Sequence, residues 1–263
     1  DLVRSRGLGD VYKRQDYYWN VNKQSAHILD EIRKAFTEGD QVKAERLTRQ
    51  NFNSEVPYEG SREKPFRFGS FTTMGEFYVE TGLNIIGMSD YKRILSLDSA
   101  MAVVQFKKDD VAYQRNYFIS YPANVLVMRF SADRPGKQNL IFSYAPNPVS
   151  TGSMVAQGDN GLVYSAALDN NGMKYVVRIQ AETKGGTLVN RNGKLTVKGA
   201  DEVVFYVTAD TDYKVNFAPD FKNPKTYVGV NPVETTGQWL ANAVAKGYSA
   251  LLNEHYQDYA ALF

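Results

Sequence analysis

The spacing of apolar residues along this chain switches from a helical period to a strand period, and then back. Between residues 20 and 52, Ile28, Leu29, Ile32, Ala35 and Phe36 recur at i, i+1, i+4, i+7 and i+8, which predicts an amphipathic helix. Gly39 suits its C-terminal cap and Asp40 the next N-cap. Val42, Ala44, Leu47 and Phe52 then give a second helix its apolar face, so the segment reads as a helical hairpin. Residues 53–70 are polar and carry Pro57, Gly60, Pro65 and Gly69, a loop by composition.

From residue 71 the period is two. Ala100, Ala102, Val104 and Phe106 alternate with Met101, Val103, Gln105 and Lys107. The turn Lys108-Asp109-Asp110 follows, and then Val111, Tyr113, Arg115, Tyr117 and Ile119 alternate with smaller or polar neighbours. Tyr121-Pro122-Ala123-Asn124 breaks the pattern, because proline cannot donate to a strand ladder. A strand from Val125 to Ser131 ends at Arg134-Pro135-Gly136. A second set of strands from about 138 to 209 is punctuated by Gly158-Asp159-Asn160-Gly161, Asn170-Asn171-Gly172, Lys184-Gly185-Gly186 and Arg191-Asn192-Gly193. Such residues supply the positive φ that tight hairpins need, so the whole region predicts antiparallel β structure. Val203, Phe205 and Val207 against Val204, Tyr206 and Thr208 predict a strand buried on both faces, as in the inner sheet of a layered sandwich.

After a loop from Asn216 to Asn231 the helical period returns. Trp239, Leu240, Ala243, Val244, Gly247, Tyr248, Leu251, Leu252 and His255 form the cleanest stripe in the chain, with Thr235 or Thr236 as its expected N-cap. Tyr259, Leu262 and Phe263 carry the apolar pattern to the last residue.

Composition narrows the chemistry. Eighteen Tyr and fourteen Phe against two Trp suit strands, where aromatic side chains pack on a pleated surface. The net charge is +2, and Arg4, Arg6, Lys13 and Arg14 against Asp1 and Asp10 account for all of it. The body is therefore neutral and lacks the basic stripe of a nucleic-acid partner. With no cysteine there is no disulfide scaffold, Cys-ligated zinc or thiol nucleophile. No apolar run reaches the roughly 20 residues of a membrane span. Asp1 to Gln15 has no sustained period and resembles translated adapter sequence, so residues 1–15 are expected to be a foreign or disordered head. Gly7-Leu8-Gly9 within it is too little for a phosphate loop.

Candidate catalytic groups are few. His27 and His255 lie on or beside helical stripes, neither with a second histidine four residues away, and core or boundary packing is the expected role of each. No Gly-x-Ser-x-Gly elbow is present. Adjacent acids occur at Asp109/Asp110, Asp201/Glu202 and Asp210/Asp212. The first two pairs sit in turns, and the third, following a buried strand, is the best catalytic candidate in the chain. Tyr17-Tyr18-Trp19 could face a glycan or a neighbouring domain, whereas Trp239 is expected in the core. Arg115 and Arg129, both in strands, are expected in structural ion pairs.

Three segments carry a family likeness: Gly75-Glu76-Phe77-Tyr78, then Asp90-Tyr91-Lys92-Arg93 with Leu95, Leu97 and Asp98, then Ser120-Tyr121-Pro122. With Ala245-Lys246-Gly247-Tyr248 and the closing run from His255 to Phe263, they resemble the N-terminal β-domain and linker helices of glycoside hydrolase family 95, the α-L-fucosidases. Glu76 stands where that family usually has Asp, and the family's Gly- and Asn-rich opening is replaced by the foreign head.

The resemblance implies a mainly β fold: an antiparallel β-supersandwich with an N-terminal helical hairpin and a C-terminal helical linker. Residues 16–231 would form the sandwich, and residues 232–263 would begin the linker to an (α/α)6 barrel. It implies an inverting exo-acting α-L-fucosidase, with α-L-galactosidases in the same family, acting on fucosylated glycans in the periplasm or outside the cell. The acid and base would belong to the barrel, so no catalytic, cofactor or metal residue is assigned to this chain and no cofactor is expected. The expected partners are the glycan and the barrel itself, with no nucleic acid and no membrane span. Without the barrel, Trp239 to Phe263 should leave an apolar patch uncovered. The rival expectation is a free-standing glycan-binding β-sandwich using Tyr17 to Trp19, and a third is a complete small hydrolase built on Asp210 and Asp212.

Overall fold

The computed structural model describes residues 23–52, 73–169, 172–218, 223 and 225–262. The chain divides into two compact units, one holding residues 1–8, 72–217 and 228–263, the other residues 9–71 and 218–227.

The smaller unit contains the predicted hairpin. A 3-10 turn, Lys23–Ile28, leads into α1, Leu29–Thr37, and α2 spans Gln41–Asn51. The Asp40 carboxylate caps α2 by accepting the Lys43 amide at 2.9 Å, as its position in the sequence implied. The seam is narrower than the stripe suggested: Ile32, Ala35 and Ala44 are buried with Ile28 and Leu47 against them. Leu29, Phe36, Val42 and Phe52 remain exposed. His27 is exposed in the 3-10 turn, a correction to its expected packing role.

In the larger unit, β1 (Gly75–Glu80), β6 (Gln138–Pro146), β10 (Thr187–Arg191) and β11 (Lys194–Ala200) form a four-stranded sheet in the order β1-β6-β11-β10. Eight strands form the second sheet, in the order β2-β3-β4-β5-β12-β9-β8-β7. They are β2 (Met88–Ser96), β3 (Met101–Lys108), β4 (Val111–Ser120), β5 (Val125–Ala132), β7 (Ser150–Gln157), β8 (Gly161–Leu168), β9 (Lys174–Lys184) and β12 (Glu202–Thr211). Both sheets are antiparallel throughout. The predicted turns at 108–110, 158–161, 184–186 and 191–193 fall between strands, while Asn170, Asn171 and the predicted loop 53–70 lie outside the described residues. In the β10–β11 hairpin, Asn192 and Gly193 both take positive φ, 53° and 71°, as the tight mirror-image turn requires.

The inter-sheet core is aromatic. Phe142 of β6 stacks on Phe205 of β12 at 4.6 Å between ring centres, and Phe130 of β5 meets Phe205 edge-on at 5.8 Å. β12 is buried on both faces, as its unbroken apolar run implied: Val203, Phe205 and Val207 point between the sheets, and Val204 and Tyr206 point outward. The outward cover is not a third sheet. It is the C-terminal helix α3, Pro232–Ala260, whose Leu240, Ala243 and Leu251 pack on Phe118, Val125, Val127, Val204 and Tyr206.

That packing corrects the expectation of an uncovered apolar patch along Trp239 to Phe263. The stripe of α3 faces the large sheet, leaving Val233, Tyr256 and Leu262 as the large exposed hydrophobics among the described residues from 232 on. Trp239 is half-buried at its margin rather than in the core. The helix also begins earlier than expected. Asn231 is the cap, accepting the Val233 amide at 3.2 Å, and Pro232 takes the first helical position. Thr236 is fully buried one turn inside, where its hydroxyl donates to the Pro232 carbonyl at 2.7 Å and accepts from Arg178 Nε at 3.1 Å.

At Gly247, α3 breaks with φ 72° and ψ 170°, a conformation essentially confined to glycine. The break lets one half of the helix lie along β12 and β9 while the other reaches β4. Lys246 and Glu254 bridge it, with Nζ at 2.6 and 2.8 Å from the two carboxylate oxygens. A methyl group added at Gly247 would meet nothing within 4 Å, so only backbone strain opposes it. Gly247→Ala is therefore expected to lower stability by about 1–3 kcal/mol in urea unfolding. An unchanged midpoint would mean that the kink is not held.

Candidate functional site

Each acid pair singled out in the sequence serves the fold. Asp109 and Asp110 occupy the β3–β4 turn at φ 50° and 56°. Asp201 caps the β5–β6 turn, its Oδ1 accepting the Gly136 amide at 2.7 Å. Asp210 Oδ1 accepts the Thr211 amide at 2.8 Å. Asp212 is buried, and its Oδ1 accepts the Lys174 amide at 3.0 Å, closing the start of β9. β12 ends at Thr211, so the two aspartates do not share a continuing strand face.

His255 is buried against Phe118, ring centres 4.9 Å apart, with Nε2 2.9 Å from the Ser99 carbonyl oxygen. It ties α3 to the β2–β3 turn. Arg115 departs from the expected ion pair: its guanidinium lies over the rings of Phe106 and Phe130, at 5.0 and 5.7 Å. Arg129 meets the expectation, with Nη2 donating to Glu202 Oε2 at 2.5 Å. Tyr17, Tyr18, Trp19 and the Gly7-Leu8-Gly9 segment lie outside the described residues.

Glu202 and Arg129, singled out separately as candidates in the sequence, converge with residues that were not, Glu182 and Lys184 among them. The outward face of β5, β12 and β9 carries Arg129 beside Val204, Val204 opposite Glu182, and Glu202 opposite Lys184. Glu182, Lys184, Glu202, Val204, Tyr206 and Tyr248 line a groove of about 490 Å³ at the kink of α3, within the range of about 300–1,000 Å³ typical of small-molecule sites. Two fixed donors hold its two carboxylates. The Tyr206 hydroxyl donates to Glu182 Oε2 at 2.8 Å, and Arg129 holds Glu202. The Arg129 guanidinium also lies over the Tyr248 ring at 4.9 Å.

Burial, and secondly the bond to Glu182, push the Tyr206 phenol far above its ordinary range. Burial likewise raises Tyr248, against the opposing pull of Arg129. The bond to Glu202 raises Arg129 further still. All three groups therefore keep their protons at neutral pH. Glu182 is exposed and Glu202 faces a guanidinium, so the groove lacks the apolar enclosure that holds a carboxyl group as a general acid. Among the described residues, no three His, Asp or Glu side chains come together as metal ligands, and no helix is long and apolar enough to cross a membrane.

Residues 10–216 match the family described as "Glycosyl hydrolase family 65, N-terminal domain". The chain is 28% identical to the Aspergillus niger protein "Probable alpha-fucosidase A" over 76% of its own length and 26% of that protein's. It is 23% identical to the Aspergillus oryzae protein of the same name, over 92% and 32%. It is 24% identical to the Arabidopsis thaliana protein "Alpha-L-fucosidase 2", over 66% and 23%. The chain thus spans about a quarter to a third of the length of these relatives. Among solved structures, one described as "Putative kojibiose phosphorylase from human microbiome" shares the fold with a TM-score of 0.50 at 11% identity, covering 74% of this chain and 29% of that one.

Proposed function

Since the chain belongs to the family of glycosyl hydrolase family 65 N-terminal domains, we propose that it is the non-catalytic β-sandwich part of a longer, inverting, exo-acting α-L-fucosidase of the family 95 type. The observation that carries this reading is that two fungal proteins and one plant protein named as fucosidases share this stretch. Inverting glycoside hydrolysis needs one carboxyl group held protonated and a second that activates water across a gap of about 6.5–9.5 Å. The acid pairs singled out in the sequence are committed to turns, to backbone amides or to the Arg129 guanidinium, which supports placing the acid and base in the remainder of the longer protein. The sandwich would then support a catalytic barrel, with a terminal α-L-fucosyl glycan as the substrate. A periplasmic or extracellular site is part of the proposal and is compatible with a chain free of cysteine.

The test compares the longer protein with the 263-residue chain on a fucosylated oligosaccharide. The longer protein should release L-fucose with the β-anomer appearing first by NMR, and the chain alone should release none. Turnover by the chain alone that is lost in Asp210→Asn would sink the reading. Release that requires added orthophosphate would replace hydrolysis with phosphorolysis.

A further inference from the structure

We propose that the small cavity at the β1 end of the sandwich binds a monatomic anion, of the size of chloride, between Arg115 and Gln138. The cavity lies where β4 and β5 of the large sheet meet the start of β6 and the residues that follow β1. Its volume is about 10 Å³, room for about one water-sized sphere. On β6, Gln138 alternates in phase with Leu140 and Phe142 of the inter-sheet core, so its side chain points inward. It is 4% exposed, and its Nε2 has no hydrogen-bond partner. A buried donor with nothing to donate to carries its full desolvation cost, and a bound ion or water is the usual remedy.

Charge decides between the two. Arg115 and Lys137 are the only charged residues that line the cavity, and both are cations. Arg115 is half-buried over the rings of Phe106 and Phe130, which hold its guanidinium in place. It pairs with no carboxylate among the described residues. Asp109 and Asp133 act on the Tyr113 phenol without lining the cavity, and Asp133 already accepts the Ala112 amide at 3.0 Å. Other acceptors in the wall are spent as well. Thr81 Oγ1 takes the Leu83 amide at 3.4 Å, and Asn139 Oδ1 takes the Gly199 amide at 3.1 Å. A water molecule donates as well as accepts, whereas an anion only accepts, and the unspent groups here are chiefly donors. Phosphate and sulfate are too large for the space. The bound anion ties β4 of the large sheet to β6 of the small one.

The test replaces sodium gluconate by sodium chloride at constant ionic strength, on the isotopically labelled 263-residue chain. Chloride is expected to give saturable NMR shifts at the Gln138 side-chain amide and the Arg115 Nε–H, and to raise the thermal midpoint by about 2–4 °C. Crystals soaked in sodium bromide should show an anomalous peak between these two side chains. Gln138→Glu gives Arg115 a carboxylate of its own and should abolish the chloride effects in a folded chain. Gln138→Leu removes the amide donor and should weaken chloride binding about tenfold, the effect of one lost hydrogen bond to a charged group. The proposal is overturned if chloride and gluconate give the same spectra, the result expected of a water molecule, or if the chloride shifts survive both substitutions. Sulfate that moves Gln138 as strongly as chloride also overturns it, because the cavity cannot admit sulfate. None of these readouts involves fucose release, so this inference goes beyond the fucosidase reading and can fail separately from it.

Discussion

Phe205→Ala is expected to cost about 3–5 kcal/mol in urea or thermal unfolding, the range for removing a fully buried aromatic side chain. Phe205 has no exposed surface. It sits in the middle of β12, in register with Met128 of β5 and Ala181 of β9, and its ring stacks on Phe142 of the opposite sheet. Truncation therefore opens a cavity where inner strands of the two sheets pack face to face, and neither sheet can close on it without shifting the other. Domains of ordinary stability hold about 5–15 kcal/mol in total, so the variant would be near its folding limit. Val189→Thr is the matching control. Val189 is 48% exposed on the edge strand β10, and the change should stay within about 0.5 kcal/mol. Equal losses at the two positions would mean that the inter-sheet core is not packed as described.

Local signals carried most of the architecture. The hairpins were legible because their turns need residues that tolerate positive φ, and Asp109-Asp110 and Asn192-Gly193 supply them. The double burial of β12 was legible because six consecutive residues, Val203 to Thr208, lack any charged side chain. What covers its second face was not. An apolar strand face signals burial without saying whether a sheet or a helix lies over it. The stripe of α3 kept its phase through Gly247, so periodicity gave no sign of the kink, although an interior glycine is one of the few residues at which helices bend sharply.

The groove was invisible for a different reason. Glu182, Glu202 and Arg129 come from strands 20 to 73 residues apart, and they meet only because β12 inserts between β5 and β9. Each alone reads as an ordinary outward-facing polar residue. The adjacent pair Asp210/Asp212, which proximity in sequence favoured, spends its carboxylates on backbone amides. Asp and Asn beside strand ends commonly do this, because their short side chains reach the backbone groups that the ladder leaves unpaired.

Stability should fall steeply once the pH passes 10. Burial raises the phenol of Tyr144 far above its ordinary 10.0, with further contributions from the neighbouring Tyr175 and Tyr164, and Tyr206 is raised likewise by burial and by Glu182. A group whose folded pKa is raised contributes its stability fully below the unfolded value and loses it as the pH climbs toward the folded one. Below pH 10 both phenols are protonated in either state, and the pH has no purchase on them. Above it the unfolded chain releases from these two phenols protons that the folded chain retains, so each removes about 1.4 kcal/mol per pH unit. These two alone contribute a slope of about 3 kcal/mol per unit from pH 10 to about 12, and Tyr117, Tyr175 and Tyr248, also raised by burial, steepen it. The structural cause is that neither hydroxyl can shed its proton in place. Tyr144 donates to the Met74 carbonyl at 2.5 Å, and Tyr206 donates to a carboxylate that would repel a phenolate. Urea midpoints measured across this window, alongside tyrosinate absorbance, test the slope. Tyr206→Phe should be less stable at neutral pH, having left Glu182 without its donor, yet lose about 1.4 kcal/mol less per pH unit above 10 than the parent. A profile that stays flat to pH 12, or a Tyr206→Phe slope equal to that of the parent, would show that these phenols titrate as freely in the folded chain as in the unfolded one.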